Sequence, residues 1–141
     1  MKKILVITDA PYAFSGYGNQ VDKIMTEMVK RGWDVYAFAC NYFPNGKEEK
    51  DENGYVVFNG IKTILLEDIW NGPEYLYPSK EKVQKAMEEI NPDIVFTLND
   101  FYRVAPYLEL GEEFISKWVH WLPIDNDYDD KYTPQFENKL K

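Results

Sequence analysis

A three-layer α/β domain with a mainly parallel sheet is the fold class that the sequence predicts. Short apolar runs of strand length alternate along the chain with segments of helical periodicity. The runs are rich in β-branched residues and contain few polar ones, which is typical of strands covered on both faces. With 141 residues, the chain is expected to form one domain spanning residues 1–141.

The first unit of the chain is a strand, a glycine-containing loop, a helix and a second strand. Residues 3–8 form the first apolar run, and residues 33–40 form the second. Gly32 is expected to end the helix between them, because glycine accepts the positive φ of that position. The connection between the helix and the second strand is short. It predicts that the two strands are parallel and form a right-handed βαβ unit, as in a Rossmann-like domain. The apolar stripe of the helix consists of Val21, Ile24, Met25, Met28 and Val29.

The middle of the chain combines an exposed loop, a hairpin and a helix. Residues 41–53 are polar and are expected to form the loop. Asn59-Gly60 separates two short apolar runs, and this dipeptide is a strong signal of a two-residue hairpin turn. Ser79 is the expected N-cap of a helix that ends at Ile90. The buried side of that helix is predicted to contain Val83, Ala86, Met87 and Ile90.

The last third is predicted to contain two strands separated by a short helix. Residues 93–98 form one strand, and residues 101–110 form the short helix, which Gly111 closes. Residues 114–122 are expected to form the second strand. Thr133-Pro134 then has the cap and first-turn proline of a further helix.

Composition and charge exclude several classes of function. The formal net charge of −8 argues against a general nucleic-acid-binding protein, because neutralising phosphates requires an excess of Lys and Arg. No apolar run approaches the roughly 20 residues that cross a bilayer. Asp9 interrupts the first run too early for a signal peptide. The single cysteine, Cys40, cannot form an internal disulfide, which favours a cytoplasmic location.

The loop after the first strand is the best candidate for a binding site. Ser15, Gly16, Tyr17, Gly18 and Asn19 lead directly into a helix, whose N-terminal N–H groups and dipole suit a phosphate. The alternative is that the two glycines only make a turn.

Two established nucleotide-binding motifs are missing from this part of the chain. A dinucleotide fingerprint would need a small residue at Val21 and an acidic residue near Cys40 or Asn41. A P-loop would need Gly-Lys-Ser/Thr after the loop. An NAD-dependent enzyme is therefore disfavoured.

The second candidate lies at the ends of the last two strands. His120, the single histidine of the chain, is either a catalytic group or an imidazole held inside the fold. If Trp121 points into the core, His120 points to the other face. Asp125 follows the strand in a loop and is the other candidate for catalysis. Asn99 and Asp100 are either helix caps or substrate contacts.

Asp125-Asn126-Asp127 matches Asp-x-Asp, the metal-binding pattern of one class of glycosyltransferases. Three residues make a weak motif, and Asp129-Asp130 beside them indicate a solvated acidic loop. With a single histidine, a site with several histidine ligands is excluded. We therefore expect no bound metal and no resident cofactor.

The order and spacing of these segments resemble the N-terminal domain of GT-B glycosyltransferases of the group 1 (GT4-like) family, over nearly the whole chain. Each matching segment is short and generic on its own. The segments are Ile4-Leu5-Val6-Ile7, Ser15-Gly16-Tyr17-Gly18, Lys30-Arg31-Gly32-Trp33-Asp34-Val35, Asn59-Gly60-Ile61-Lys62, Asn91-Pro92-Asp93-Ile94-Val95-Phe96-Thr97 and Pro123-Ile124-Asp125.

The resemblance implies glycosyl transfer with retention from a nucleotide sugar to a carbohydrate or another hydroxyl acceptor. In this family the N-terminal domain mainly recognises the acceptor, and the C-terminal domain mainly holds the donor. Gly16 and Gly18 would then lie beside the donor diphosphate, and His120 or Asp125 would face the transferred sugar. No metal would be required.

The family's donor-binding domain, with its paired glutamates, is missing from the sequence. In the last predicted helix, Phe136 and Leu140 begin an apolar stripe that reaches Lys141 without a cap. We therefore expect the chain to be part of a longer protein and to be inactive alone. The alternative is that the last residues form a short frayed tail.

Two other classes of function remain open. One is a non-catalytic Rossmann-like module that binds a nucleotide, a sugar or a protein partner, which the acidic composition favours. The other is a flavodoxin- or receiver-like domain. A receiver would need an acidic cluster where Asp9 stands alone. The aromatic residues 70–77 are expected to be an acceptor platform or an interface, and their exposure would favour self-association.

Overall fold

The computed structural model describes residues 1–11, 16–42, 45–66, 77–99 and 101–121. These residues form a six-stranded sheet with helices packed on it. The strands are β1 (Lys3–Asp9), β2 (Asp34–Cys40), β3 (Val56–Phe58), β4 (Ile61–Ile64), β5 (Ile94–Leu98) and β6 (Trp118–Trp121). The helices are α1 (Gly16–Lys30), α2 (Lys80–Ile90), α3 (Phe101–Val104) and α4 (Glu112–Lys117), with a 3₁₀ helix (Ala105–Leu110) between the last two.

The strand order is β3-β4-β2-β1-β5-β6, and only the β3–β4 pair of this sheet is antiparallel. The prediction of a mainly parallel sheet is thus confirmed. β1 lies at the centre, and all but its first residue are buried, as expected of a strand covered on both faces.

The helices divide between the two faces of the sheet, and each face has its own apolar core. On the α1 face, Val21 and Met25 pack with strand residues such as Val6 and Val35. On the opposite face, which we call the α2 face, Val83 and Phe114 pack with residues such as Leu5. This is the predicted three-layer arrangement.

Local signals placed the hairpin and the second helix correctly. Asn59 and Gly60 have φ values of 51° and 82°, and positive φ at both central residues is what a type I′ hairpin turn requires. The Ser79 hydroxyl caps α2 by accepting from the Lys82 N–H at 3.3 Å. At the other end, the Asn91 N–H donates to the Met87 carbonyl at 2.9 Å. All four predicted core residues of α2 are buried.

The prediction of a strand beginning at residue 114 is wrong. Residues 112–117 form α4, and β6 starts only at Trp118. Glu112 lies in the first turn and Lys117 in the last, where both charges suit the helix dipole. Phe114 is directed into the core of the α2 face, where its ring lies 5.2 Å from that of Trp118.

The predicted helix over residues 101–110 is divided into two pieces. α3 ends at Val104, and the 3₁₀ helix continues to Leu110. Pro106 explains the change, because it has no N–H to donate and its ring crowds the preceding turn of an α-helix.

None of the helices that are described here is long and apolar enough to cross a membrane.

Several sequence predictions concern residues outside the described part of the chain. They are the aromatic segment up to residue 76, the helix beginning at Thr133-Pro134, and Phe136 with Leu140.

Within the described part, β6 presents Val119 and Trp121 to solvent on the α1 face, with exposed fractions of 51% and 46%.

Candidate functional site

The order of the strands identifies the edge at which a ligand would bind. From β1 the chain proceeds to β2 and the hairpin on one side, then returns to β5 on the other side of β1. The direction of strand addition therefore reverses between β1 and β5. In open α/β sheets, the crevice outside the carboxyl ends of the strands at such a switch point is the usual ligand site.

Buried polar side chains occupy this crevice. Asp9 ends β1 and Asn99 follows β5, and each is only 2% exposed. Asn41, which follows β2, donates from Nδ2 to Asp9 Oδ1 at 2.5 Å. Buried polar groups are tolerated when they are hydrogen-bonded to one another. Parallel strands therefore bring together three residues that lie far apart in the sequence.

Tyr77 links the two sides of the switch point. Its hydroxyl donates to Asp9 Oδ1 at 3.2 Å and accepts from the side-chain amide of Asn99. The guanidinium carbon of Arg103, in α3, lies 5.0 Å from the centre of the Tyr77 ring. We call Asp9, Asn41, Tyr77, Asn99 and Arg103 the switch-point cluster.

The acid–base character of this cluster follows from its burial. Burial raises the pKa of Tyr77 well above its usual range, and the negative charges of a Cys40 thiolate and of Asp9 would raise it further. The phenol therefore keeps its proton and can act as a hydrogen-bond donor. Burial, reinforced by Asp9, also raises the pKa of Cys40. Cys40 is thus a protonated thiol in the core, which does not suit it to be a nucleophile.

The glycine loop is described only in part. α1 begins at Gly16, so Gly16, Tyr17, Gly18 and Asn19 form its first turn, directly after β1 in sequence. Gly18 is buried, whereas Asn19 is exposed. Ser15 lies outside the described residues. The N-terminal turn of a helix presents N–H groups and a partial positive charge, as the phosphate-binding prediction requires.

His120 lies in β6 opposite Thr97 of β5. Its Nδ1 is 2.6 Å from the Thr97 hydroxyl, and that same oxygen accepts from Trp118 Nε1 at 2.8 Å. The Thr97 hydroxyl thus contacts both the imidazole of His120 and the indole of Trp118. Trp121 is half-exposed on the other face of the sheet, so His120 and not Trp121 faces the covered side. The contacts of His120 are those of a side chain held within the sheet.

The protonation of His120 makes the stability of the fold depend on pH. Burial lowers the pKa of His120 below its usual value, and a backbone hydrogen bond to Thr97 opposes the shift. The unfolded chain therefore takes up this proton at higher pH than the folded chain does. The free energy of unfolding is expected to fall as the pH decreases below about 6.5, and not above it.

The measurement is urea unfolding of the wild type and of a His120→Gln variant at about pH 7.5 and about pH 5.5. Glutamine keeps a polar side chain but does not titrate. We expect the wild type to lose more stability between the two values than the variant does. An equal loss in both proteins would contradict the assignment to His120.

The structure brings some of the predicted site residues together and leaves others aside. Asn99 belongs to the cluster, and α1 begins at the same strand edge. Asp100 and Asp125 lie outside the described residues. Tyr77 was predicted only as part of the aromatic segment 70–77, an acceptor platform or an interface, and Arg103 was not predicted as a site residue. Arg103 could have been noticed because arginine is rare in this chain, which contains only two.

A groove of about 320 Å³ lies on the α2 face, between α2 and the β3–β4 hairpin. Phe38 and Leu66 contribute apolar lining, while Lys82, Lys85 and Glu89 contribute charges of both signs. Such a mixed lining selects neither anions nor cations. The switch point is therefore the stronger candidate site.

The side-chain donors Asn41, Tyr77 and Asn99 are bound to Asp9 or to one another. The features of the switch point that suit an anionic ligand are therefore Arg103 and the N-terminus of α1. Across the described ranges, no group of three or more His, Cys, Asp or Glu side chains is placed to hold a metal ion. The function has to be inferred from this geometry, since no family model, no curated protein and no solved structure matches the chain.

Proposed function

We propose that this chain is the acceptor-side half of a nucleotide-sugar-dependent glycosyltransferase of GT-B architecture. The proposal rests on one observation. The N-terminus of α1 and the switch-point cluster lie at the same edge of the sheet, at the carboxyl ends of β1 and β5. The sequence resemblance supplies the class of reaction. The geometry supports a site for an anionic ligand at the position where that class needs one.

A diphosphate leaving group explains why these features are useful together. In glycosyl transfer from a nucleotide sugar, negative charge develops on the departing diphosphate, and fixed donors that stabilise it lower the barrier. The first turn of α1 supplies N–H groups and a favourable dipole. Gly16 has no side chain that would keep a ligand from the backbone, whereas Gly18 is buried. The charge of −8 over the chain does not oppose this, because the donors act locally.

In this proposal the partners of the chain are a nucleotide sugar and a carbohydrate or other hydroxyl acceptor. The domain that holds most of the donor would come from elsewhere, and turnover would need both halves. His120 or Asp125 would face the transferred sugar, as the resemblance implies. Neither a metal ion nor a resident cofactor is part of the proposed reaction.

A second candidate is a non-catalytic module that binds a nucleotide or sugar. One observation favours it specifically: the described acidic and basic groups at this edge are bound to their neighbours. Asp9 is hydrogen-bonded by Asn41 and Tyr77, and His120 by Thr97. Such contacts suit a rigid binding surface better than they suit a group that has to exchange a proton during a reaction.

The test is ligand-observed NMR with nucleotide sugars, nucleoside diphosphates and free sugars. We expect nucleoside diphosphates and their sugars to bind, and Gly16→Val to weaken that binding roughly tenfold or more, a loss of about 1.4 kcal/mol. The reason is that a branched side chain keeps the phosphates from the first turn of α1. Gly32→Ala is the control, because it perturbs the other end of the same helix.

Each result has a distinct meaning. Equal binding by the wild type and Gly16→Val would contradict the assignment of the diphosphate to this turn. A folded wild type that binds none of these ligands would overturn the proposal of a nucleotide-sugar site. Binding of nucleotides with no transfer to any acceptor, even with a donor-binding partner domain added, would favour the binding module.

A further inference from the structure

Arg103 occupies an unusual place for a charged side chain. It lies in α3, directly beyond the carboxyl end of β5, and it is half-buried. Its guanidinium carbon lies 5.0 Å from the centre of the Tyr77 ring, within the range of a cation–π contact. The other arginine of the chain, Arg31, is exposed at the end of α1, where it pairs with Glu27 at 3.1 Å.

The Tyr77 ring holds the guanidinium at the ligand edge of the sheet. The positive charge of Arg103 lowers the pKa of Tyr77 and of Cys40, against the larger effect of burial, so the charge reaches the ends of the central strands. When a guanidinium lies over an aromatic ring, its N–H groups point outward in the plane of the guanidinium and not into the ring. This planar fork matches the oxygens of a phosphate.

The negative charge of Asp9 would oppose the binding of a phosphate at this edge. Its carboxylate would repel an anion, but it is 2% exposed and accepts from Asn41 and Tyr77. The Tyr77 hydroxyl faces the carboxylate, and the face of its ring contacts the arginine. A single side chain thus bonds the negative group through its hydroxyl and holds the positive group against its ring.

We propose that Arg103 is the side chain that binds a phosphate group in the switch-point crevice. The phosphate belongs either to the diphosphate of a nucleotide or to a phosphorylated sugar. This inference deepens the proposed function and rests on it for the identity of the ligand. Tyr77 acts as a positioning residue, since it contacts the guanidinium through the face of its ring.

The experiment measures the dissociation constants of pyrophosphate, a nucleoside diphosphate and a hexose phosphate by titration calorimetry. We expect Arg103→Gln to weaken binding of pyrophosphate roughly tenfold or more, because a charge-assisted bidentate contact is lost. Arg103→Lys should retain part of the affinity, since it keeps the charge but not the fork. Arg31→Gln is the matched control and should bind like the wild type.

The ligands distinguish the two sources of phosphate. Tighter binding of the nucleoside diphosphate, lost in Arg103→Gln, assigns the contact to the donor. Tighter binding of the hexose phosphate, lost in the same variant, assigns it to a phosphorylated acceptor. If Arg103→Gln does not fold, Arg103→Lys decides, because its affinity should still lie below that of Arg31→Gln.

The outcomes separate this inference from the proposed function. Nucleotide binding that is lost in Gly16→Val but unchanged in folded Arg103→Gln or Arg103→Lys would overturn the role of Arg103 alone. Pyrophosphate binding that depends on Arg103, without any nucleotide or sugar binding, would support the role of Arg103 and overturn the glycosyltransferase proposal. A wild type that binds no phosphate compound would overturn both.

Discussion

Replacing Phe114 by alanine is expected to lower the free energy of unfolding by about 3–5 kcal/mol, the usual cost of removing a buried phenylalanine. Phe114 is 2% exposed, and its ring contacts the rings of Tyr107 and Trp118, with centre-to-centre distances of 6.1 and 5.2 Å. These neighbours belong to the 3₁₀ helix and to β6. They are held by their own elements, so the space that the ring leaves would close only partly.

Urea unfolding followed by circular dichroism measures this loss, and Ile115→Ala on the same helix is the control. Ile115 is 44% exposed, so its truncation should cost much less than that of Phe114. Substitutions in this segment also distinguish the helix α4 from a strand. In a strand beginning at residue 114, residues 114 and 116 would share a face, and Ser116→Ala would then disturb the core. In α4, Ser116 is exposed and the substitution should cost little.

Replacing Tyr77 by phenylalanine is expected to lower the free energy of unfolding by about 1.5–3 kcal/mol, as expected for a buried hydrogen bond to a charged group. The substitution keeps the ring, so the contact with Arg103 is retained. It removes the hydroxyl that donates to Asp9 and accepts from Asn99. One hydrogen bond of a buried carboxylate and one of a buried amide are lost together.

Tyr42→Phe is the matched control for this prediction. The Tyr42 hydroxyl donates to Glu48, in the polar loop after β2, at 2.9 Å, and both residues are partly exposed. Solvent can replace that bond, so the cost should stay within about 0.5 kcal/mol. Equal losses in the two variants would show that the hydroxyl of Tyr77 has no special role in the switch-point cluster. The same urea titration serves both proteins.

Local signals allowed much of the fold to be predicted. Gly32, Asn59-Gly60 and Ser79 each act through the backbone of their own turn, so a short window of sequence contains the relevant information. The run beginning at Phe114 failed because a short apolar segment suits a strand or a helix equally well. The contact of Phe114 with Tyr107 and Trp118 decides between them, and no local window contains it.

Only part of the candidate site could be predicted from the sequence. Asn99 and the turn containing Gly16 could be found from the rule that strand ends meet at one edge. The contacts of Tyr77 and Arg103 could not, because they join segments that lie far apart in the sequence. Asp9 and Tyr77 are 68 positions apart in the chain. Periodicity gives the face on which a residue lies, but it does not give its partner across the sheet.

The separation of these residues has a consequence for how the chain folds. Asp9, Asn41, Tyr77 and Asn99 come from four distant segments, and β1 pairs with β5 across about 90 positions. Contacts of such long range form late and slow the search for the native state. The complete cluster forms only after β1, β2, β5 and the segment containing Tyr77 have come together. A ligand that binds there is therefore expected to stabilise the folded domain against unfolding.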